Sequence, residues 1–145
     1  MDDFKQFRIA VRGLIYNQNN EVLLLRRSRP ARGETGYWEL PGGGLDHGES
    51  PQQALLREIQ EETRLEVEVG MPLLVWDYVR SDQLQIIGMT FFCRWTSGNI
   101  GLSHEHDTYT WVTLEQISKY KVFPELQSEI SKLIAQEVNH DLGHH

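Results

Sequence analysis

Residues 43–65 read GGLDHGESPQQALLREIQEETRL, from Gly43 to Leu65. Ser50-Pro51-Gln52-Gln53 is a strong helix start. Ser50 can cap, Pro51 suits the first helical position, and Gln53 completes a capping box. The spacing predicts a helix running to about Thr63. Within it, Glu58, Glu61 and Glu62 stand at i, i+3 and i+4, and at about 100° per residue they share one stripe. That stripe borders the apolar one formed by Leu55 and Ile59. Carboxylates crowded at the edge of a buried face repel one another and lose hydration. A divalent cation between them turns the arrangement favourable, and oxygen-rich ligation is what Mg²⁺ or Mn²⁺ takes. Taken alone, the three glutamates fit a plainer reading, a solvated acidic face with Arg57 and Glu61 as a surface ion pair. The adjoining Gly42-Gly43-Gly44 shifts the balance, because a glycine turn lets backbone groups approach a metal or anion closely.

Outward from this segment, strands and helices mix along the chain. Phe7 to Tyr16 is rich in β-formers, Asn17-Gln18-Asn19-Asn20 is a turn, and Val22-Leu23-Leu24-Leu25 is a buried strand, so the two strands read as a β-hairpin. Ser28 to Gly36 reads as a mobile loop, Tyr37 to Leu40 as a short strand ended by the glycines. Leu65 to Tyr78 supplies strand residues, paired through the polar turn near Ser81-Asp82 with a strand over Ile86 to Trp95. Tyr109 to Val112 reads as a strand and Leu114 to Ser118 as a short helix. Leu126, Ile130, Leu133, Ile134 and Val138 mark an amphipathic packing helix. Mixed elements of this kind indicate an α/β or α+β layered domain. The 145 residues fit one domain spanning 1–145, with a disordered tail expected from about residue 140.

Composition narrows the classes. Apolar residues make up 39% and charged residues 24%, ordinary for a chain with a real core. The net charge of −7 argues against nucleic acid as a general partner, since that binding displaces counterions with a basic surface. No run approaches the roughly 18 apolar residues that span a bilayer, so no membrane association is expected. The start, Met1-Asp2-Asp3-Phe4-Lys5, lacks the order of a signal peptide. The single thiol, Cys93, lies in an apolar run and reads as a core residue. These features suit a reducing cytoplasm. His144 and His145 receive no role.

The 43–65 segment resembles the Nudix box, G-x5-E-x7-R-E-U-x-E-E-x-G-U, with U a bulky aliphatic residue. Gly43, Glu49, Arg57, Glu58, Ile59, Glu61, Glu62 and Leu65 match it. Arg64 departs, since the family normally has glycine there. That position lies just past the helix end, where a left-handed conformation is common, and arginine held in it costs roughly 1 kcal/mol or more. Trp38-Glu39-Leu40-Pro41-Gly42-Gly43 also resembles the family's lead-in. The resemblance implies a Nudix-type α/β/α sandwich with a mixed β-sheet and a loop–helix–loop metal site. It implies Mg²⁺ or Mn²⁺ held by Glu58, Glu61, Glu62 and the Gly42 carbonyl, with Arg57 and Glu49 as supports. It implies attack of a metal-activated water on phosphorus in a nucleoside diphosphate linked to another group, of the nucleoside triphosphate, ADP-ribose or nucleotide-sugar class, with the compact single domain leaning toward a MutT-like triphosphate enzyme. A general base comes from a box glutamate or from Glu105, in the Ser103-His104-Glu105-His106-Asp107 loop.

Other residues carry weaker readings. Arg26, Arg27 and Arg32 are candidates for substrate phosphates, with a solvated edge as the alternative. Tyr37, Trp38 and Trp76 could stack a base, although aromatic residues on strands are usually core; Trp111 reads as core. His104 and His106, taken as exposed loop histidines without a third ligand, make a poor zinc site. Arg80 stands where an ADP-ribose enzyme would be expected to carry proline. A nucleotide-sensing or partner-binding Nudix module without catalysis is the competing function, disfavoured because every box glutamate is kept. RNA-end hydrolysis is disfavoured by charge, and isoprenoid isomerisation by the lack of a placed cysteine. A homodimer is left open.

Overall fold

The computed structural model describes residues 5–143, with side chains described as far as Glu137. His144, His145 and the Val138 side chain lie outside the described part. Among the described residues no helix is long and apolar enough to cross a membrane.

The centre of the fold is β1 (Gln6–Tyr16), which pairs in parallel with β6 (Leu84–Ser97), from Gln6↔Leu84 to Tyr16↔Arg94. On its other side run β2 (Val22–Arg27) and β3 (Trp38–Glu39), and β5 (Glu66–Ser81) closes the far edge beside β6, giving the order β3-β2-β1-β6-β5. Two short partners lie off this path: β4 (Gly42–Gly44) on β1 and β7 (His106–Val112) on β2. The sheet is therefore mixed. Helix α1 (Pro51–Thr63) lies on one face, and a 3-10 helix (Leu114–Lys119) and α2 (Pro124–Gly143) on the other. The backbone expected to be a loose tail from about residue 140 is helical as far as Gly143.

Two-sided burial explains the strand sequences. Val11, Ile15, Leu23, Leu25, Phe91 and Cys93 pack with Ala54, Leu55 and Ile59 of α1. Leu14, Val22 and Leu24 point the other way, into a cluster with Leu114, Ile117, Leu126, Ile130 and Leu133. The unbroken run Val22 to Leu25 is thus fully buried on alternate faces, as a central strand covered by helices requires. Cys93 sits in this core, and burial pushes its thiol up to about 12.

Three expectations are corrected. The β1–β2 hairpin survives only at its turn, where Asn17 Oδ1 accepts the Asn19 and Glu21 N–H groups, and in one pair, Tyr16↔Val22. Beyond it the strands part: β4 takes β1 at Ala10–Arg12, and β7 takes β2. The glycines expected only to end a strand form β4 themselves. A Cβ on Gly42 would run into the Val11 carbonyl, so glycine alone lets this backbone lie on β1. His106, read as an exposed loop residue, begins β7 and is 3% exposed. The 28–36 segment folds back on itself, with Ala31 and Glu34 exchanging backbone hydrogen bonds of 2.8 and 3.0 Å.

Candidate active site

The carboxylates are placed by α1 and the glycine strand. Helix α1 begins on the Ser50–Gln53 capping box and ends on Arg64, which adopts φ 63° and donates its N–H to the Gln60 carbonyl at 2.9 Å. The left-handed conformation expected of glycine at this position is kept by arginine. The helix presents Glu58 and Glu62 to β4. Gly42 N–H donates to Glu62 Oε1 at 2.8 Å, and the Glu58 carboxyl lies where a Gly43 side chain would have to be. The two glycines are thus bracketed by two carboxylates. Burial pushes Glu62 up to about 9, reinforced by the neighbouring Glu58, Glu39 and Glu105. Burial also raises Glu58, with Glu61 and Glu105 adding to it against the opposing Arg57.

Arg57 holds the outer part of the cluster. Its Nε and Nη2 donate to Glu49 at 2.8 and 2.9 Å, and its Nη1 to Glu58 at 2.9 Å, while Nη2 also reaches the Gly44 carbonyl at 3.2 Å. Those bonds hold Glu49 down at about 2. Glu49 is therefore tied to Arg57 and to the Asp46 N–H, not aimed at the glycines. Glu61 is 59% exposed and lies 3.5 Å from Arg57 Nη1, so it stands outside the Glu58–Glu62 bracket.

Beside the bracket opens a cleft of about 930 Å³. Gly42, Gly43, Glu62, Glu39 and Glu105 line one part of it, and Arg12, Arg27, Arg32 and Arg80 also face it. Of the sequence-derived substrate candidates, Arg27 and Arg32 are brought here. Arg26 instead pairs with Asp107 at 2.8 Å on the surface. Tyr37 stacks on Phe123, with 4.2 Å between centroids, and Trp38 meets Tyr120 edge-on. Trp76 is 7% exposed, donates to Thr90 Oγ1 at 3.0 Å, and carries the Arg12 guanidinium 4.0 Å over its ring. None of these four side chains lines the cleft.

Several participants escaped the sequence reading. Glu39 is bound by Arg27 Nη1 at 3.3 Å and His106 Nε2 at 2.8 Å. Burial works to raise its carboxyl, but these two partners outweigh it and hold it below the usual range. The other nitrogen of His106, Nδ1, is buried, lacks a hydrogen-bond partner and stands 4.0 Å from Glu62 Oε2. A charged residue between Trp38 and Leu40, next to the glycines, was the available hint for Glu39. Nothing local marked His106, because its burial depends on β7 pairing with β2.

The residues fit a divalent cation in part. Among the described residues no three His, Cys, Asp or Glu side chains are gathered into a ready ligand cage. Yet a carboxyl raised to about 9 beside a second, partly buried carboxyl is a pair that a cation, rather than a proton, can satisfy. The glycine backbone between them leaves room for close approach.

The NUDIX domain profile matches residues 6–135. The chain belongs to the Nudix hydrolase family. It is 33% identical over 112 residues to the nucleoside triphosphatase NudI of Enterobacter sp. (strain 638), covering 70% of this chain and 79% of that protein. It is 31% identical over 121 residues to the CTP pyrophosphohydrolase of Escherichia coli (strain K12), covering 80% and 84%. The crystal structure of the MutT protein from Methanosarcina mazei Go1 superposes with a TM-score of 0.81 at 29% identity, over 92% of this chain and 96% of that one. The mixed sheet between helices is the fold of this Nudix chain, as its sequence resemblance implied.

Proposed function

We propose that this Nudix chain hydrolyses a phosphoanhydride bond in a nucleoside triphosphate, or in a nucleoside diphosphate joined to another group. The observation that carries the reading is the bracket at Gly42–Gly43. Two carboxyls that burial keeps from ionising freely, Glu58 and Glu62, meet backbone that only glycine allows, beside a cleft faced by four arginines. Relatives acting on nucleoside triphosphates support the substrate class.

Glu58 and Glu62 would hold Mg²⁺ or Mn²⁺, with the Gly42 carbonyl and Glu61 as further oxygen donors after side-chain adjustment. The bound cation supplies charge neutralisation on the phosphates and lowers the pKa of water. Arg57 fixes Glu58 against rotation and ties the cluster to Glu49. Arg27, Arg32 and Arg80 bind and orient the phosphate chain. Glu105 lines the cleft close enough to raise both Glu58 and Glu62, and it is the group to accept the proton of the attacking water. The lone buried thiol of Cys93 suits the cytoplasm.

The test is a phosphate-release screen over nucleotide diphosphate compounds with Mg²⁺ or Mn²⁺. Glu58→Gln and Glu62→Gln should each lose at least about a hundredfold in rate, near 2.7 kcal/mol of transition-state stabilisation. Variants matching wild type on a compound that wild type turns over would overturn the assignment of these carboxylates. A wild type that hydrolyses no compound in the screen would favour the sensing module.

A further inference from the structure

The loop between β6 and β7 is tied to the end of α1. An α-helix leaves its last four carbonyls without helical partners, and amides from elsewhere can take them. Here Gly101 N–H donates to the Thr63 carbonyl at 2.9 Å, and Ser103 N–H to the Glu62 carbonyl at 3.3 Å. Alternating with these amides, Ile100 and Leu102 pack against the core cluster that holds Leu55 and Ile59. From Ser103 the chain turns tightly to His106. His106 N–H donates to the Ser103 carbonyl at 3.3 Å and closes the turn, while Glu105 N–H donates to Ser103 Oγ at 3.3 Å. Serine at the first position of a turn accepts in this way from the residue two further on. The His104 carbonyl accepts the Ser28 hydroxyl, and the Glu105 carbonyl accepts the Ser28 N–H at 2.9 Å. The turn is thus held from two sides, by α1 through Ser103 and by the end of β2 through Ser28. At its third position stands Glu105, which lines the cleft with Glu62 and Gly42. Ser103 does not line the cleft, yet this single residue joins the backbone of Glu62 to the backbone of Glu105.

We propose that Ser103 is a positioning residue for hydrolysis: its N–H and its hydroxyl oxygen fix the turn that presents Glu105 at a set place relative to Glu62. The inference rests on the reading of Glu105 as the proton acceptor and adds what aims it. Proton transfer needs the accepting oxygen within hydrogen-bond reach of the attacking water. A misplacement of about 1 Å can cost about a hundredfold in rate. A carboxylate on a free loop would have to be gathered into place at every turnover, whereas this one leaves a backbone already bonded to the helix that carries Glu58 and Glu62. The Ser103 hydroxyl acts only through that backbone, so its removal should be felt where Glu105 works and nowhere else.

The test measures kcat and KM on CTP and ATP with Mg²⁺, beside backbone amide exchange followed by NMR. Ser103→Ala keeps the backbone and removes the acceptor. It should lower kcat about tenfold and leave KM within about twofold. In the same variant the Glu105 amide should exchange about tenfold faster while the amides of α1 keep their wild-type rates. Ser103→Thr returns the hydroxyl and should bring kcat back to within about threefold of wild type. In a Glu105→Gln background, Ser103→Ala should cost less than about twofold more, because nothing is left for it to aim. Ser28→Ala, which frees the His104 carbonyl, should repeat the pattern with a loss of about threefold in kcat. Ser103→Ala with the kcat of wild type, or with its full loss repeated in the Glu105→Gln background, overturns the proposal and leaves the role of Glu105 standing. A loss that Ser103→Thr does not restore overturns it as well. Glu105→Gln as fast as wild type removes Glu105 from the reaction and the proposal with it. A wild type inert on both nucleotides overturns the hydrolytic reading first, and this inference falls with it.

Discussion

Replacing Glu62 by glutamine should abolish activity and yet make the metal-free protein more stable at alkaline pH. The side chain is 4% exposed, and its carboxyl is pushed up to about 9 from 4.5, burial being the largest cause. At pH 8 the folded protein keeps this proton while the unfolded chain has lost it. The unfolded state then binds fewer protons, so stability falls as pH rises between about 5 and 9. From 4.5 to 8 is about 3.5 pH units, which at about 1.36 kcal/mol per unit costs the folded state roughly 4 to 5 kcal/mol. Glutamine has nearly the same volume and keeps an oxygen for the Gly42 N–H now bonded at 2.8 Å, but it has no proton to lose. In EDTA at pH 8, Glu62→Gln should melt above wild type by roughly 10 °C. The gap should close near pH 5. Adding Mg²⁺ at pH 8 should raise the wild-type melting temperature and leave the variant unmoved, since the ion takes the place of the proton. Differential scanning calorimetry across this pH range, with and without Mg²⁺, reads all three effects. A variant that melts at or below wild type at pH 8, with a gap independent of pH, would refute the account of a carboxyl strained by burial.

Arg64→Gly should stabilise the protein by about 0.5 to 1 kcal/mol in a urea titration, because residue 64 sits at φ 63° and only glycine adopts that without cost. Gly43→Ala should keep the melting temperature within a few degrees while lowering kcat by about tenfold or more, as the added Cβ displaces the Glu58 carboxyl. Gly88→Ala should destabilise by roughly 1 to 3 kcal/mol, measured by urea midpoint, because its Cβ meets the buried Trp76 ring and β6 has no slack there. His106→Gln should lower activity about tenfold while Glu39→Gln gives a similar loss, and the double variant should lose little more, the sign of one shared hydrogen-bonded unit.

Local chemistry was legible in the chain itself. The capping box at Ser50–Gln53 requires only neighbours in sequence, so α1 could be read with its first turn and its last. The resemblance to the box implied that Arg57 and Glu49 support the acidic cluster, and the structure joins them although Glu49 lies before the first turn of α1. The two-sided burial of Val22 to Leu25 was written in four consecutive apolar residues. What the sequence could not decide was which strand meets which. The Asn17–Asn20 turn makes a hairpin look complete, but β1 binds β6 some 78 residues away by register, Gln6↔Leu84, and hands β2 to β7. That remote pairing alone buries His106 against Glu39 and aims its Nδ1 toward Glu62. Tertiary packing likewise separated Glu61 from Glu62, since one stripe of a helix has a wet edge and a dry edge. It also turned Trp76 from a candidate for base stacking into the floor beneath Arg12, and brought Glu129 from α2 to lock that guanidinium. Residue types and short spacings determine which chemistry is possible; burial, which sums contacts from distant parts of the chain, decides which of those groups are charged, which are fixed, and which face the cleft.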